Sequence, residues 1–292
     1  MNQFKILDGA LGSELINRGI NLPKHIWSAY ANTNYPDIVR EIHTDYIQAG
    51  ADFITANTFR TTPRAYYKYI TENNINLNPK ILAKKSLKLA MKIAKEIAGK
   101  KDVIGSVAPL EDCYQPNHFP GYNIAKQEFS QIIKQQIEFG ADIILLETMN
   151  SIIETKSALD AIKNKAIPIW VSLVLKDSKH LMSGDLIIEM CDLINNSNIN
   201  MALLNCNSIE RTKNALNIFV NNINCDWGIY PNLGEGNPSP DGIIAKISNM
   251  NIFSDLVNYS IELGASVIGG CCGSNFNHIA TINKIRNTIT TC

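Results

Sequence analysis

The sequence predicts an α/β protein of the (β/α)8 barrel class, with a single domain over residues 1–292. Three observations point there: eight short apolar runs alternate with segments of helical period, one helix-to-strand junction recurs three times, and no two runs are joined by a hairpin turn. Strands that are apolar throughout and separated by helices pair in parallel, through crossover connections. The competing arrangement, an open doubly wound sheet, usually carries a GxGxxG turn after its first strand; here that turn reads DGALGSEL. Closed barrels run to roughly 250 residues as one domain, so a chain of 292 residues accommodates one with little left over.

The first run is Phe4–Asp8, followed by Asp52–Thr58, Val103–Ala108 and Asp142–Thr148. Pro168–Leu175, Met201–Cys206, Trp227–Asn232 and Ser266–Cys272 complete the set. Between the first two, Asp37 to Ala49 carries Ile38, Ile42, Tyr46, Ile47 and Ala49 on one helical face and Arg40, Glu41, Asp45 and Gln48 on the other. The repeated junction is QAGADFI, FGADIIL and LGASVIG. In each copy a glycine closes the helix in a left-handed conformation, and a buried strand begins two residues later. Two long connections, Thr58 to Asn78 and Ala108 to Tyr122, are candidate active-site loops.

Composition narrows the function. Lys+Arg and Asp+Glu both number 27, a formal charge of zero that offers no field for phosphate backbones or anionic lipid, so neither nucleic acid nor membrane is an expected partner. Apolar residues make up 45% of the chain and charged residues 18%, the balance of a well-buried globular protein. No run approaches the ~20 apolar residues of a membrane span, and the start lacks the pattern of a signal peptide; the expected compartment is the cytoplasm. An odd count of seven cysteines fits reduced thiols better than a disulfide framework.

In such a barrel the chemistry sits at the carboxyl ends of the strands. Those ends deliver Asp8, Asn57 and Thr58, Glu147, Asn205 and Cys206, Tyr230 and Asn232, and Cys271 with Cys272. Thiols from the sixth and eighth strands then converge on one face. Three sulfur ligands suit a tetrahedral zinc ion whose fourth position stays open, the pattern of a catalytic site. Neighbouring strand residues face opposite ways, so Cys271 and Cys272 share a metal only where the strand leaves its pleat, a freedom supplied by Gly269, Gly270 and Gly273. The plainer alternative is that the cysteines are small buried hydrophobic residues. The five histidines are dispersed without a ligand motif. Cys113 lies in the long DCYQPNHFPGY segment as a candidate lid residue.

The segments LDGALGSEL, IWSAYA, QAGADFITANTF, LLETMNSIIE, LNCNS, YPNLGE and GGCCGS, in this order along nearly the whole chain, resemble the homocysteine S-methyltransferase family. Two departures stand out: Leu233 where that family usually has a small residue, and Asn275, Phe276 and Asn277 where a proline often precedes the helix. The resemblance implies that Cys206, Cys271 and Cys272 bind Zn2+, and that Glu147 and Asp8 lie beside the amino-acid substrate. A carboxylate at the fourth strand end suits the α-ammonium group of homocysteine. Asn232 and Tyr230 shape the pocket on this reading, with Tyr230 a candidate for the open zinc position when substrate is absent. Trp27 offers an aromatic face to a cationic donor.

The implied reaction transfers a methyl group to the homocysteine thiolate and yields methionine. The chain length leaves no room for the folate and cobalamin domains of large methionine synthases, which favours a sulfonium donor, S-methylmethionine before S-adenosylmethionine. Selenohomocysteine as acceptor and betaine-type transfer are alternatives on the same barrel. A zinc-free lyase or aldolase would require a Schiff-base lysine or a metal-binding carboxylate cluster at the strand ends, and no strand end supplies a lysine. A non-catalytic redox or metal-binding protein would use the vicinal cysteines as a reversible disulfide.

Overall fold

A computed structural model of the chain describes residues 4–163, 165–235, 244 and 246–290. Its strands are β1 (Lys5–Ile6), β2 (Phe53–Ala56), β3 (Asp102–Val107), β4 (Ile143–Met149), β5 (Ile169–Leu173), β6 (Met201–Ser208), β7 (Asp226–Asn232) and β8 (Val267–Ile268). The helices before β4 are α1 (Leu11–Asn17), α2 (Ala29–Asn34), α3 (Pro36–Ala49), α4 (Pro63–Glu72), α5 (Pro79–Ala98) and α6 (Tyr122–Glu138). After it come α7 (Ile152–Ile162), α8 (Ile187–Asn195), α9 (Ile209–Asn222), α10 (Met250–Glu262) and α11 (Phe276–Thr290). The eight strands pair in parallel, in the order β1-β8-β7-β6-β5-β4-β3-β2, which is the expected (β/α)8 barrel, nearly closed.

Alternation along the strands sorts the apolar side chains into two cores. Ile144, Leu146, Val171, Ala202, Leu204 and Ile229 point outward and pack under the helices. Leu7, Ile104, Leu145, Trp170, Leu203 and Val267 point inward and fill the barrel.

The recurring junction has a structural reason. Gly50, Gly140 and Gly264 take φ of 108°, 97° and 91°, the left-handed values that end a helix without a Cβ penalty. The strand then begins three residues on, one later than expected, and in two of the three copies the residue before it is an Asp whose side chain hydrogen-bonds to the neighbouring strand. Asp142 accepts Val103 N–H at 2.8 Å while its own N–H donates to Val103 O at 2.9 Å. Asp52 does the same to Ile6, at 2.8 and 2.7 Å. This second pair bridges the seam between β1 and β2. Asp8 extends the bridge by accepting Thr55 N–H at 2.7 Å and Thr55 Oγ1–H at 2.8 Å. Carboxylates thus stand in for ladder bonds where the sheet closes, and β1 is shorter than the run Phe4–Asp8.

One of the two long connections differs from the sequence reading. Thr58 to Asn78 is largely helical, containing α4, whose Thr62 cap accepts Ala65 N–H. Ala108 to Tyr122 is a true long loop with a single 3-10 turn, Pro116–His118. Among the described residues no helix is long and apolar enough to cross a membrane.

Candidate metal centre

The three cysteines singled out from the sequence meet at the carboxyl end of the barrel, and one arrives by an irregularity that no periodic pattern reveals. Along β6, Ala202 and Leu204 face the helices and Leu203 faces inward, so alternation would send Cys206 outward. Instead the pairing with β7 slips between Asn205 and Ser208, and Cys206 takes φ 54°. This bulge turns the thiol inward, to 3.5 Å from Cys272 Sγ. On β4 the same device operates at Thr148, where the pairing slips between Leu146 and Met149 and φ is 60°. The two bulges are joined: Asn205 Nδ2 donates to Thr148 Oγ1 at 2.8 Å, and Thr148 N–H to Ser172 Oγ at 3.0 Å.

Cys271 and Cys272 lie beyond β8, which ends at Ile268, so they belong to a loop and not to the strand end expected. Backbone bonds fix that loop: Cys271 N–H donates to Pro231 O at 2.9 Å, Leu233 N–H to Cys272 O at 2.8 Å, and Gly273 N–H to Ser13 Oγ at 2.9 Å. Gly273 has φ 79°, and a Cβ on Gly269 would stand 2.7 Å from Leu7 Cβ. Gly269→Ala is therefore expected to cost about 1–3 kcal/mol through overpacking and to weaken metal retention, checked by thermal unfolding and metal content of the same preparation.

The trio fits a metal ion. Its sulfur atoms all lie within 4.8 Å of one another, and tetrahedral zinc with bonds near 2.3 Å spaces its ligand sulfurs at ~3.8 Å. Hydrogen bonds from the Cys271 and Cys272 thiols, and from the Tyr114 hydroxyl 3.1 Å away, hold the Cys206 thiol well below its ordinary pKa. Bonding to Cys206 holds Cys271 and Cys272 well above theirs. A dication would compensate the charge of all three sulfurs bound as thiolates.

Beside the trio opens a pocket of about 420 Å3, within the ~300–1,000 Å3 usual for small-molecule sites. Its wall includes Asp8, Trp27, Asn57, Glu147, Tyr230 and Asn232 from the sequence reading. Glu147 is held by Ser106 Oγ and, at 3.2 Å, by the Tyr230 hydroxyl. Burial pushes the Asp8 and Glu147 carboxyls up to about 7, against the hydrogen bonds from Thr55 to Asp8 and from Ser106 and Tyr230 to Glu147. Asp8 is buried and Glu147 half-buried, both on the wall of the pocket.

Other expectations are redirected. The Tyr230 hydroxyl bonds Ser172 Oγ at 2.6 Å and Glu147, and the hydroxyl bonded to a thiol is that of Tyr114, 3.1 Å from Cys206 Sγ. Thr58 and Asn205 are buried away from the pocket wall. Thr58 Oγ1 clamps β3 by donating to Ser106 O and accepting Ser106 N–H. Asn57 is buried in a polar network, donating to Ser28 O and Asn32 Oδ1 and accepting Ser28 Oγ–H. That network holds the turn in which Trp27 takes φ 43°, its indole against Gly12, where a Cβ would be 2.6 Å from Nε1. Asn232 Oδ1 accepts Gly234 N–H at 2.8 Å and so shapes the turn after β7. Cys113 lines the pocket with its thiol pushed up to about 12 by burial, the state of an inert thiol.

Comparison with known proteins agrees with this geometry. A family model described as homocysteine S-methyltransferase matches residues 5–286. The chain belongs to the homocysteine S-methyltransferase family. It is 28% identical to the homocysteine S-methyltransferase of Escherichia coli over 95% of this chain and 93% of that protein. Homocysteine S-methyltransferase 3 of Zea mays is 26% identical, over 97% and 90%. The crystal structure of the homocysteine methyltransferase MmuM from Escherichia coli in its metallated form superposes with a TM-score of 0.80 at 25% identity, covering 97% of this chain and 96% of that one.

The two departures from the homocysteine S-methyltransferase pattern are accommodated. Leu233 is buried in the outer core and does not line the pocket. Asn275 does the work of the proline before α11, its Oδ1 accepting Asn277 N–H at 3.0 Å.

Proposed function

We propose that this methyltransferase moves a methyl group from a sulfonium donor, S-methylmethionine before S-adenosylmethionine, to the thiolate of L-homocysteine in a zinc-dependent reaction that forms methionine. The observation that carries the reading is the convergence of three thiols on a pocket whose wall carries the buried Asp8 and the half-buried Glu147 carboxyls. Cys206, Cys271 and Cys272 would hold the zinc, and the ion when bound supplies an open coordination position at which a thiol sulfur loses its proton at neutral pH.

The chain's own groups do the rest. Asp8 and Glu147 receive the α-ammonium group of homocysteine, Thr55 fixing the first and Ser106 and Tyr230 the second. Asn232 and the turn it shapes border the same pocket. Acceptor and donor are thereby aligned before reaction, the step that most reduces its entropic barrier. The acceptor sulfur forms its bond to the methyl carbon as the donor carbon–sulfur bond breaks, with the electron pair leaving on the donor sulfur. The charge of the sulfonium is lost in that step, so an aromatic wall beside it suits the donor better than an ion pair.

Trp27, pre-set by its left-handed backbone, supplies that wall. Trp27→Leu is expected to raise the KM for the sulfonium donor about 2- to 30-fold, from a cation–π contribution of ~0.5–2 kcal/mol. An unchanged KM would remove Trp27 from the donor site. We assign one barrel domain to residues 1–292 and, since the chemistry needs reduced thiols, the cytoplasm as its compartment. The decisive assay measures methionine formed from homocysteine and S-methylmethionine, with zinc content determined in parallel.

A further inference from the structure

The wall of the pocket carries a cation that the chemistry described so far does not use. Arg60 lies in the connection after β2, four positions past Ala56, half-buried and lining the pocket. Its guanidinium is steadied from two sides: it sits over the Phe59 ring, 5.2 Å from the centroid, and Nη1 donates to Glu111 O at 2.8 Å. Among the described residues no carboxylate oxygen lies within 4.0 Å of it.

The cations that follow Arg60 along the chain are paired instead. Arg64 is paired with Glu111 and Glu128, and Lys68 with Glu111. Both carboxylate oxygens of Glu111 are taken by those partners, which leaves Arg60 only the backbone carbonyl. Glu154, the other carboxylate near enough to interact with Arg60, is itself buried and accepts Leu110 N–H at 2.8 Å. Asp112, also on the pocket wall, is bonded to Tyr114 N–H and Gln115 Nε2.

A held guanidinium with free N–H groups facing a small-molecule pocket is a receptor for a carboxylate, which its fork of donors matches in geometry and charge. We propose that Arg60 binds the carboxylate of the methyl donor, so that the enzyme selects sulfonium compounds that are carboxylic acids over simple sulfonium ions. The inference rests on the methyl-transfer reading above. The pocket then has a division of charge: Asp8 and Glu147 attract the ammonium group of the acceptor, while Arg60 anchors the acid group of the donor next to the aromatic surfaces of Trp27 and Phe59.

The test is equilibrium dialysis on the metal-loaded protein with S-methylmethionine, with trimethylsulfonium, which has no carboxylate, and with homocysteine, using wild type, Arg60→Gln and Arg60→Lys. Arg60→Gln is expected to weaken S-methylmethionine roughly tenfold or more while the trimethylsulfonium affinity stays within about twofold, and Arg60→Lys to recover part of the loss. An equal loss for both sulfonium compounds would reduce Arg60 to a support for the Ala108–Tyr122 loop, and no loss for either would leave it without a role; each overturns the proposal. A loss confined to homocysteine would move the carboxylate site to the acceptor and overturn the donor assignment. Turnover is read separately. Wild type that binds S-methylmethionine through Arg60 yet forms no methionine would defeat the methyl-transfer reading and leave the carboxylate site standing.

Discussion

Cys272→Ala is expected to abolish zinc retention and methyl transfer together. Cys272 sits between its two partners, 3.5 Å from Cys206 and 4.0 Å from Cys271, sulfur to sulfur. Its loss leaves two thiols, too few for a catalytic zinc site, and removes one of the hydrogen bonds that hold the Cys206 thiol below its ordinary pKa. Metal affinity should fall by more than about 100-fold, since even partners one shell further out typically contribute 10- to 100-fold. Activity should fall at least as far. The measurement is zinc per chain on freshly reduced protein, beside methionine formation, with a thermal melt to show that the variant folds. Stoichiometric zinc in wild type without activity would preserve the metal centre and redirect the search to other donors or acceptors. Wild type devoid of zinc would return the cysteines to packing or redox roles.

Glu147→Gln is expected to lose homocysteine binding and at the same time to stabilise the protein at alkaline pH. The Glu147 carboxyl is pushed up to about 7 chiefly by burial, well above its ordinary 4.5. A folded-state pKa above the unfolded one means that the native state holds the proton more tightly, so the charge costs nothing below about pH 4.5. The cost grows from there to about pH 7 and is complete above it. Removing the charge should therefore raise the Tm by a few degrees at pH 8, on the order of 1–2 kcal/mol after allowing for the weakened bonds to Ser106 and Tyr230, and leave it unchanged near pH 4. The same charge is what the substrate ammonium group needs. In wild type the KM for homocysteine should fall as pH rises through about 7, where Asp8 also ionises. Glu147→Gln should raise that KM roughly 10- to 100-fold and flatten its pH dependence. A variant with unaltered KM for homocysteine would place the ammonium site elsewhere in the pocket.

Much of this protein is legible along the chain because its architecture is built from local units. Each apolar run needs only its own alternation or continuity to become a strand. Each junction glycine needs only its own left-handed φ, and Gly50, Gly140 and Gly264 all adopt it. The cysteines were visible for a related reason: thiols at the carboxyl ends of the sixth and eighth β/α units gather at one end of the barrel once it closes.

Tertiary structure decided what depends on partners far away in sequence. Period-two alternation points Cys206 at the helices, and only the slip in pairing between β6 and β7 turns it toward Cys272, 66 residues on. The bulge at Thr148, joined to Asn205, follows from the packing of β4 against β5 and from a side-chain bond across 57 residues. Tyr114 and Arg60 lie in connections, where no periodicity assigns a direction to a side chain. Their places in the pocket come from the fold of the Ala108–Tyr122 loop and from the Glu111 carbonyl. Strand and helix identity is a short-range property of backbone sterics and apolar spacing. The aim of a site residue is set by long-range hydrogen bonds that exist only after the barrel has closed.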